Sequence, residues 1–100
     1  MNAKFNEIIQ SNQLVLIDFF ADWCGPCKMM SPVLQEVKGI LRDDVKIIKI
    51  NVDQHQDLAS EFMVRGVPTL ILFKSGKMLW LQSVFLSVKD LVSIVQNHLN

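Results

Sequence analysis

A charge imbalance is the first thing this sequence lacks. Ten acidic and ten basic side chains cancel over 100 residues. That balance disfavours the basic face that nucleic acid demands and the lysine-rich helix that lies on a membrane surface. Long apolar runs are missing too, and none approaches the roughly 20 residues needed to cross a bilayer. The opening stretch, MNAKFNEIIQSNQ, has no basic segment followed by an apolar one, so no signal peptide is expected and a cytoplasmic setting is the default. Repeats and low-complexity tracts are absent. Cysteine is scarce, with Cys24 and Cys27 alone. A zinc or iron–sulfur site would need two further ligands, and neither His55 nor His98 has metal-site spacing to the pair, so no metal is expected. A structural staple is a poor reading as well. A loop closed over two intervening residues removes little chain entropy, and a persistent structural disulfide is unusual in the cytosol.

What is present suffices for one domain over residues 1–100, because half the residues are apolar and the chain is too short for two cores. The hydrophobic period switches along the chain. KFNEIIQ sets Phe5, Ile8 and Ile9 at helical spacing. LVLIDFF, Leu14 to Phe20, is a near-continuous apolar run suited to a strand buried on both faces. From Cys27 the period lengthens, with Met30, Leu34, Val37 and Leu41 on one stripe and Val33 and Ile40 beside it. VKIIKINV, Val45 to Val52, reads as a second strand. QDLASEFM reads as a short helix around Leu58, Phe62 and Met63. PTLILFK and KMLWLQ read as strands joined by a hairpin turn, KSGK. Ser87 opens the last helix, with Asp90 three places on as in a capping box, and Val88, Leu91, Val92, Val95 and Leu99 form its buried stripe. The order α-β-α-β-α-β-β-α predicts an α/β fold: a mixed sheet with a right-handed parallel crossover, a later antiparallel hairpin and helices on both faces.

In such sheets function sits beyond the carboxyl ends of the strands. ADWCGPCK, residues 21–28, falls there. A helix starting near Cys24 offers unpaired backbone N–H groups and a partial positive charge at that point. Both stabilise a thiolate, so the Cys24 thiol should be more acidic than free cysteine. Pro26 is pre-set for the first helical turn, and Gly25 leaves the approach to Cys24 unobstructed. Cys27 falls one turn further in, so it is expected to be less exposed and less acidic. Cys24 is then the attacking sulfur and Cys27 the resolving one. Asp18 interrupts a central strand. Burial should raise its pKa, which fits it to take the Cys27 proton as a general base; the plainer reading is a carboxylate that bonds nearby backbone. Lys49, on the second strand, is either its partner or a lysine that faces solvent and discourages edge pairing.

These residues also resemble a known family. WCGPCK matches the active-site motif of thioredoxins. LIDFFADWCGPCKMMSPVL and KINVDQHQDLASEFMVRGVPTLILFKSGK continue the likeness, and residues 5–99 lie along the family with essentially no gaps. The resemblance implies the thioredoxin fold and a protein-disulfide reductase working by dithiol–disulfide exchange. It implies a Cys24–Cys27 disulfide, a cis peptide before Pro68, substrate pairing with the backbone of Val67, and Trp23 bordering the docking surface. It further implies client proteins with disulfides, no bound cofactor, and electrons drawn from NADPH through a flavin-containing thioredoxin reductase. A monomer is expected.

Three departures bear on these expectations. The sequence begins at the first helix, so the first family strand is expected to be missing and the sheet to have four strands, with Val45 to Val52 at an edge. Phe20 stands where the family commonly has tryptophan. Val84 takes a position often held by glycine beside the substrate groove, and with Phe85 it would narrow that groove or make it more apolar. KMLWLQ is strongly apolar for an edge strand, which leaves one of Leu79 and Trp80 exposed. These features keep a second reading open, a thioredoxin-fold binding or redox-regulated partner subunit.

Overall fold

LVLIDFF becomes the central strand because only Asp18 in it resists burial. In the computed structural model, which describes residues 2–99, the elements are α1 (Ala3–Ile9), β1 (Leu14–Phe20), α2 (Gly25–Leu41), β2 (Val45–Asn51), α3 (Gln56–Glu61), β3 (Thr69–Lys74), β4 (Lys77–Gln82) and α4 (Val88–Asn97), with a short 3-10 turn at Arg42–Asp44. The sheet runs β2-β1-β3-β4. Strand β1 pairs parallel with β2, from Leu14 opposite Val45 to Phe20 opposite Asn51, and antiparallel with β3. The β3–β4 hairpin is antiparallel with an irregularity between Leu72 and Phe73. The expected four-stranded mixed sheet and its element order are present.

Strand alternation splits β1 between two cores. Leu14 and Leu16 pack with Met30, Leu34, Val37 and Leu41 of α2 and with Leu91 and Val95 of α4. Val15, Ile17 and Phe19 pack with Phe5 and Ile9 of α1 and Leu58 of α3. Phe62 locks the second core, with its ring 5.5 Å from that of Phe5 and 5.4 Å from that of Phe73. Such pairs contribute about 0.5–1.5 kcal/mol each beyond burial. Ser87 caps α4 by accepting from the Asp90 N–H at 3.2 Å.

Three expectations shift. Helix α3 stops at Glu61 instead of carrying its stripe through Met63. The chain turns left-handed at Met63 (φ 54°), and the Met63 and Val64 N–H groups bond back to Ser60 and Ala59. That pair of bonds is a Schellman cap with methionine where glycine is usual, so Met63 faces solvent, 75% exposed. Ile40 is likewise exposed, because the α2 stripe centred on Leu34 and Val37 already fills the space above the sheet. Finally, β2 ends at Asn51, one residue short of Val52. Strand β2 is the sheet edge, with Lys46 and Lys49 exposed. On the opposite edge, Leu79 is exposed and Trp80 half-buried.

Candidate active site

The carboxyl end of β1 feeds a tight turn whose last residue, Cys24, is the N-cap of α2. Its backbone is extended (φ −91°, ψ 112°), and its sulfur accepts the Cys27 N–H at 3.1 Å. One of the unpaired donors of the helix start therefore points at sulfur. No acidic residue lies in the first turn of α2 to offset the positive end of the helix. Pro26 sits within that first turn, as its missing N–H favours. A Cβ on Gly25 would meet nothing within 4 Å, so the surface at Gly25, next to Cys24, is open. Cys24 and Cys27 are joined as a disulfide with Cα atoms 5.3 Å apart. The expected difference in their exposure is absent: they are 4% and 3% accessible. The bond holds both sulfurs in one small cluster with Ala21, against which Phe20, Val52 and Val67 pack.

The peptide joining Val67 to Pro68 is cis, and the Val67 carbonyl oxygen lies 3.6 Å from Cys24 Sγ. The start of β3 therefore abuts the disulfide. Trp23 is 72% exposed, and its indole Nε1–H donates to Asp53 Oδ2 at 3.0 Å. It shares a hollow of about 90 Å³ with Val64, Arg65, Gly66 and Val67. Val84 and Phe85 are exposed in the loop after β4, and neither lines that hollow. A larger depression of about 460 Å³ lies along α3, between Gln56 and Arg65. It contains neither cysteine nor Asp18.

Asp18 is fully buried, and neither carboxylate oxygen has a hydrogen-bond partner. Burial pushes its pKa up from 3.8 to about 6, opposed by the positive charge of Lys49. Lys49 stands opposite Asp18 in the β1–β2 register, so the two side chains share the α2 face of the sheet. The ammonium is not bonded to the carboxylate. It donates to Ser31 Oγ at 2.9 Å and lies 4.8 Å from the centre of the Phe20 ring. A cavity of about 260 Å³ runs beneath it, lined by Phe20, Ala21, Asp22, Cys27, Lys28, Ser31 and Lys49.

The structure thus gathers Cys24, Cys27 and Val67 at one point, with Trp23 bordering it, and sets Lys49 at a cavity beside Cys27. Val84 stands apart. The sequence reading passed over two polar partners, Asp53 and Ser31. Asp53 follows the carboxyl end of β2, the same end of the sheet as the cysteine turn, and that placement was a usable signal. Ser31 had none, because its partner comes from another strand. Among the described residues, no group of His, Cys, Asp and Glu could hold a metal ion.

The family model described as Thioredoxin matches residues 1–97. The thioredoxin of Rickettsia typhi is 46% identical over 72 residues, covering 72% of this chain and 69% of that protein. The thioredoxin of Alicyclobacillus acidocaldarius is 47% identical over 76 residues, covering 76% of this chain and 72% of that one. Among solved structures, a mutant thioredoxin from Halobacterium salinarum superposes with a TM-score of 0.90 at 35% identity, over 100% of this chain and 87% of that one.

Proposed function

Since this chain belongs to the thioredoxin family and is a thiol–disulfide oxidoreductase, we propose that Cys24 is its attacking sulfur, Cys27 its resolving sulfur and Asp18 the acceptor of the Cys27 proton. In the reduced protein, the Cys24 thiolate attacks one sulfur of a client disulfide. A mixed disulfide forms, and the client's other sulfur leaves as a thiolate. Cys27 then gives its proton to Asp18 and attacks Cys24 Sγ. The second client sulfur leaves, and the Cys24–Cys27 bond remains. Two electrons have passed to the client, and its two thiolates are protonated from Asp18 and solvent. The observation that carries the assignment is the Cys27 N–H directed at Cys24 Sγ, 3.1 Å away, at a helix start without acidic residues. That N–H and the positive end of the helix favour a negative sulfur at position 24.

The open approach at Gly25 and the Val67 backbone beside the sulfur suit an extended client segment recognised through its main chain. Trp23 would border that segment. The protein is read as a cytoplasmic monomer, reduced again by a flavin-containing thioredoxin reductase fed by NADPH, with clients defined by their disulfides. The relatives reported above are all thioredoxins, which gives no support to a binding-only subunit.

The test is insulin disulfide reduction with dithiothreitol, comparing wild type with Cys24→Ser and Cys27→Ser. Both variants should lose turnover, and only Cys27→Ser should accumulate a mixed disulfide with insulin. A trapped adduct on Cys24→Ser instead would reverse the roles, and full turnover in either variant would remove the dithiol mechanism.

A further inference from the structure

We propose that Ser31 is a positioning residue for the resolving step: its hydroxyl holds the Lys49 ammonium at the mouth of the cavity beside Cys27, where that charge acts on Asp18. The inference rests on the proton-acceptor role of Asp18 given above.

Lys49 projects from the sheet edge, so no neighbouring strand confines it on its outer side. A lysine has a flexible four-carbon stem, and holding it in one place costs rotamer entropy. An exposed lysine without an anchor samples solvent. Here two contacts oppose that freedom, the Ser31 hydroxyl at 2.9 Å and the Phe20 ring at 4.8 Å. Ser31 lies four residues beyond Cys27 on α2, one turn along the same helical face. Both residues line the cavity together with Lys49. The sheet register sets Lys49 opposite Asp18 on the α2 side. The hydroxyl thus holds the ammonium at the cavity that Cys27 also lines, on the sheet face that carries the buried carboxylate.

The chemistry of the anchor matters. A carboxylate at position 31 would neutralise the ammonium and cancel its effect on Asp18. A hydroxyl holds the ammonium and leaves its charge intact. The other charged or titratable groups around the cavity are Asp22 from the cysteine turn and Cys27 and Lys28 from α2. Strand β3 faces Asp18 through Leu70, and α4 meets this face through Leu91 and Val95. Lys49 is the one charge that acts on Asp18 against the effect of burial.

The experiment follows the Asp18 carboxyl by carbon NMR from pH 4 to 9, and the rate at which Cys27 resolves a preformed mixed disulfide over the same range. It compares wild type, Ser31→Ala, Ser31→Thr, Lys49→Gln and the Ser31→Ala/Lys49→Gln double variant. Ser31→Ala should move both midpoints to higher pH by roughly half a unit, the size expected from losing a partly exposed charge contact. Ser31→Thr keeps a hydroxyl and should restore the wild-type midpoints. Lys49→Gln should move them at least as far as Ser31→Ala, and adding Ser31→Ala to it should change nothing further. If Lys49→Gln shifts the midpoints but Ser31→Ala does not, the positioning role is overturned while the Asp18 reading stands. If the Asp18 signal titrates but the resolution rate ignores it in every protein, the Asp18 reading fails and takes the Ser31 role with it.

Discussion

Replacing Asp18 with asparagine isolates the buried carboxylate without changing its shape. Asp18 is fully buried with both oxygens unpartnered, and its pKa is pushed up from 3.8 to about 6, by burial first and against the pull of Lys49. Well below pH 3.8 the group is protonated in both folded and unfolded chains, so it contributes no pH dependence there. As the pH rises through 3.8 the unfolded chain releases the proton first, while the folded chain keeps it until about 6. The folded state then binds more protons, so stability falls with rising pH across that window. Above it the loss is complete. A gap of roughly two pH units at 1.36 kcal/mol each comes to about 3 kcal/mol. Asparagine has no proton to release, so the stability of Asp18→Asn relative to wild type should climb by about 2.4 kcal/mol between pH 4 and pH 8, the rest of the change lying below pH 4. Any constant offset from burying an amide cancels in that difference. Urea unfolding of the oxidised proteins at half-unit pH steps reads it directly. Two stability curves that stay parallel within about 0.5 kcal/mol from pH 4 to pH 8 would refute the assignment of a raised pKa to Asp18.

Two other substitutions probe different parts of the molecule. Gly76, at φ +79° in the hairpin turn, donates its N–H to the Ile9 carbonyl, and a Cβ there would come within 2.5 Å of the Gln10 side chain. Gly76→Ala should cost about 1–2 kcal/mol, from left-handed strain and the displaced Gln10 end, read as a lower melting temperature in calorimetry; an unchanged value contradicts the close packing of hairpin on α1. Trp23→Phe loses the indole bond to Asp53 and some exposed ring surface. It should leave thermal stability within about 0.5 kcal/mol and raise the KM for a protein disulfide on the order of threefold, the equivalent of one modest hydrogen bond. Equal loss in kcat would mean that Trp23 acts on the chemistry and not on docking.

Much of the fold was legible because each element has its own period and its own boundary signal. Leu14–Phe20 matches the strand read from its apolar run, and its turn signals are the polar residues Ser11–Gln13 on one side and the cysteine turn on the other. Pro26 marks the first turn of α2, and the Ser87–Asp90 pair marks the start of α4. The end of α3 was hidden because methionine, not glycine, occupies the left-handed cap position. The equal burial of Cys24 and Cys27 was hidden as well. Helix geometry alone sets one cysteine outside the other, but the covering residues Phe20, Val52 and Val67 arrive from β1, from the end of β2 and from the loop before β3.

Local order along the chain determined by itself that a sulfur would cap a helix at Cys24, with a second sulfur one turn behind it. Helix start, proline and cysteine are neighbours in sequence, and backbone geometry carries that information over a few residues. It also determined that Asp18 would interrupt a buried strand. Where Lys49 would go was decided only by the tertiary structure. The register of β2 brings it opposite Asp18, while the Ser31 hydroxyl and the Phe20 ring draw its ammonium aside. The physical reason is range. Electrostatic and hydrogen-bonding partners act through space over a few ångströms, and residues 18, 31 and 49 come within that reach only after the sheet pairs and α2 closes over it.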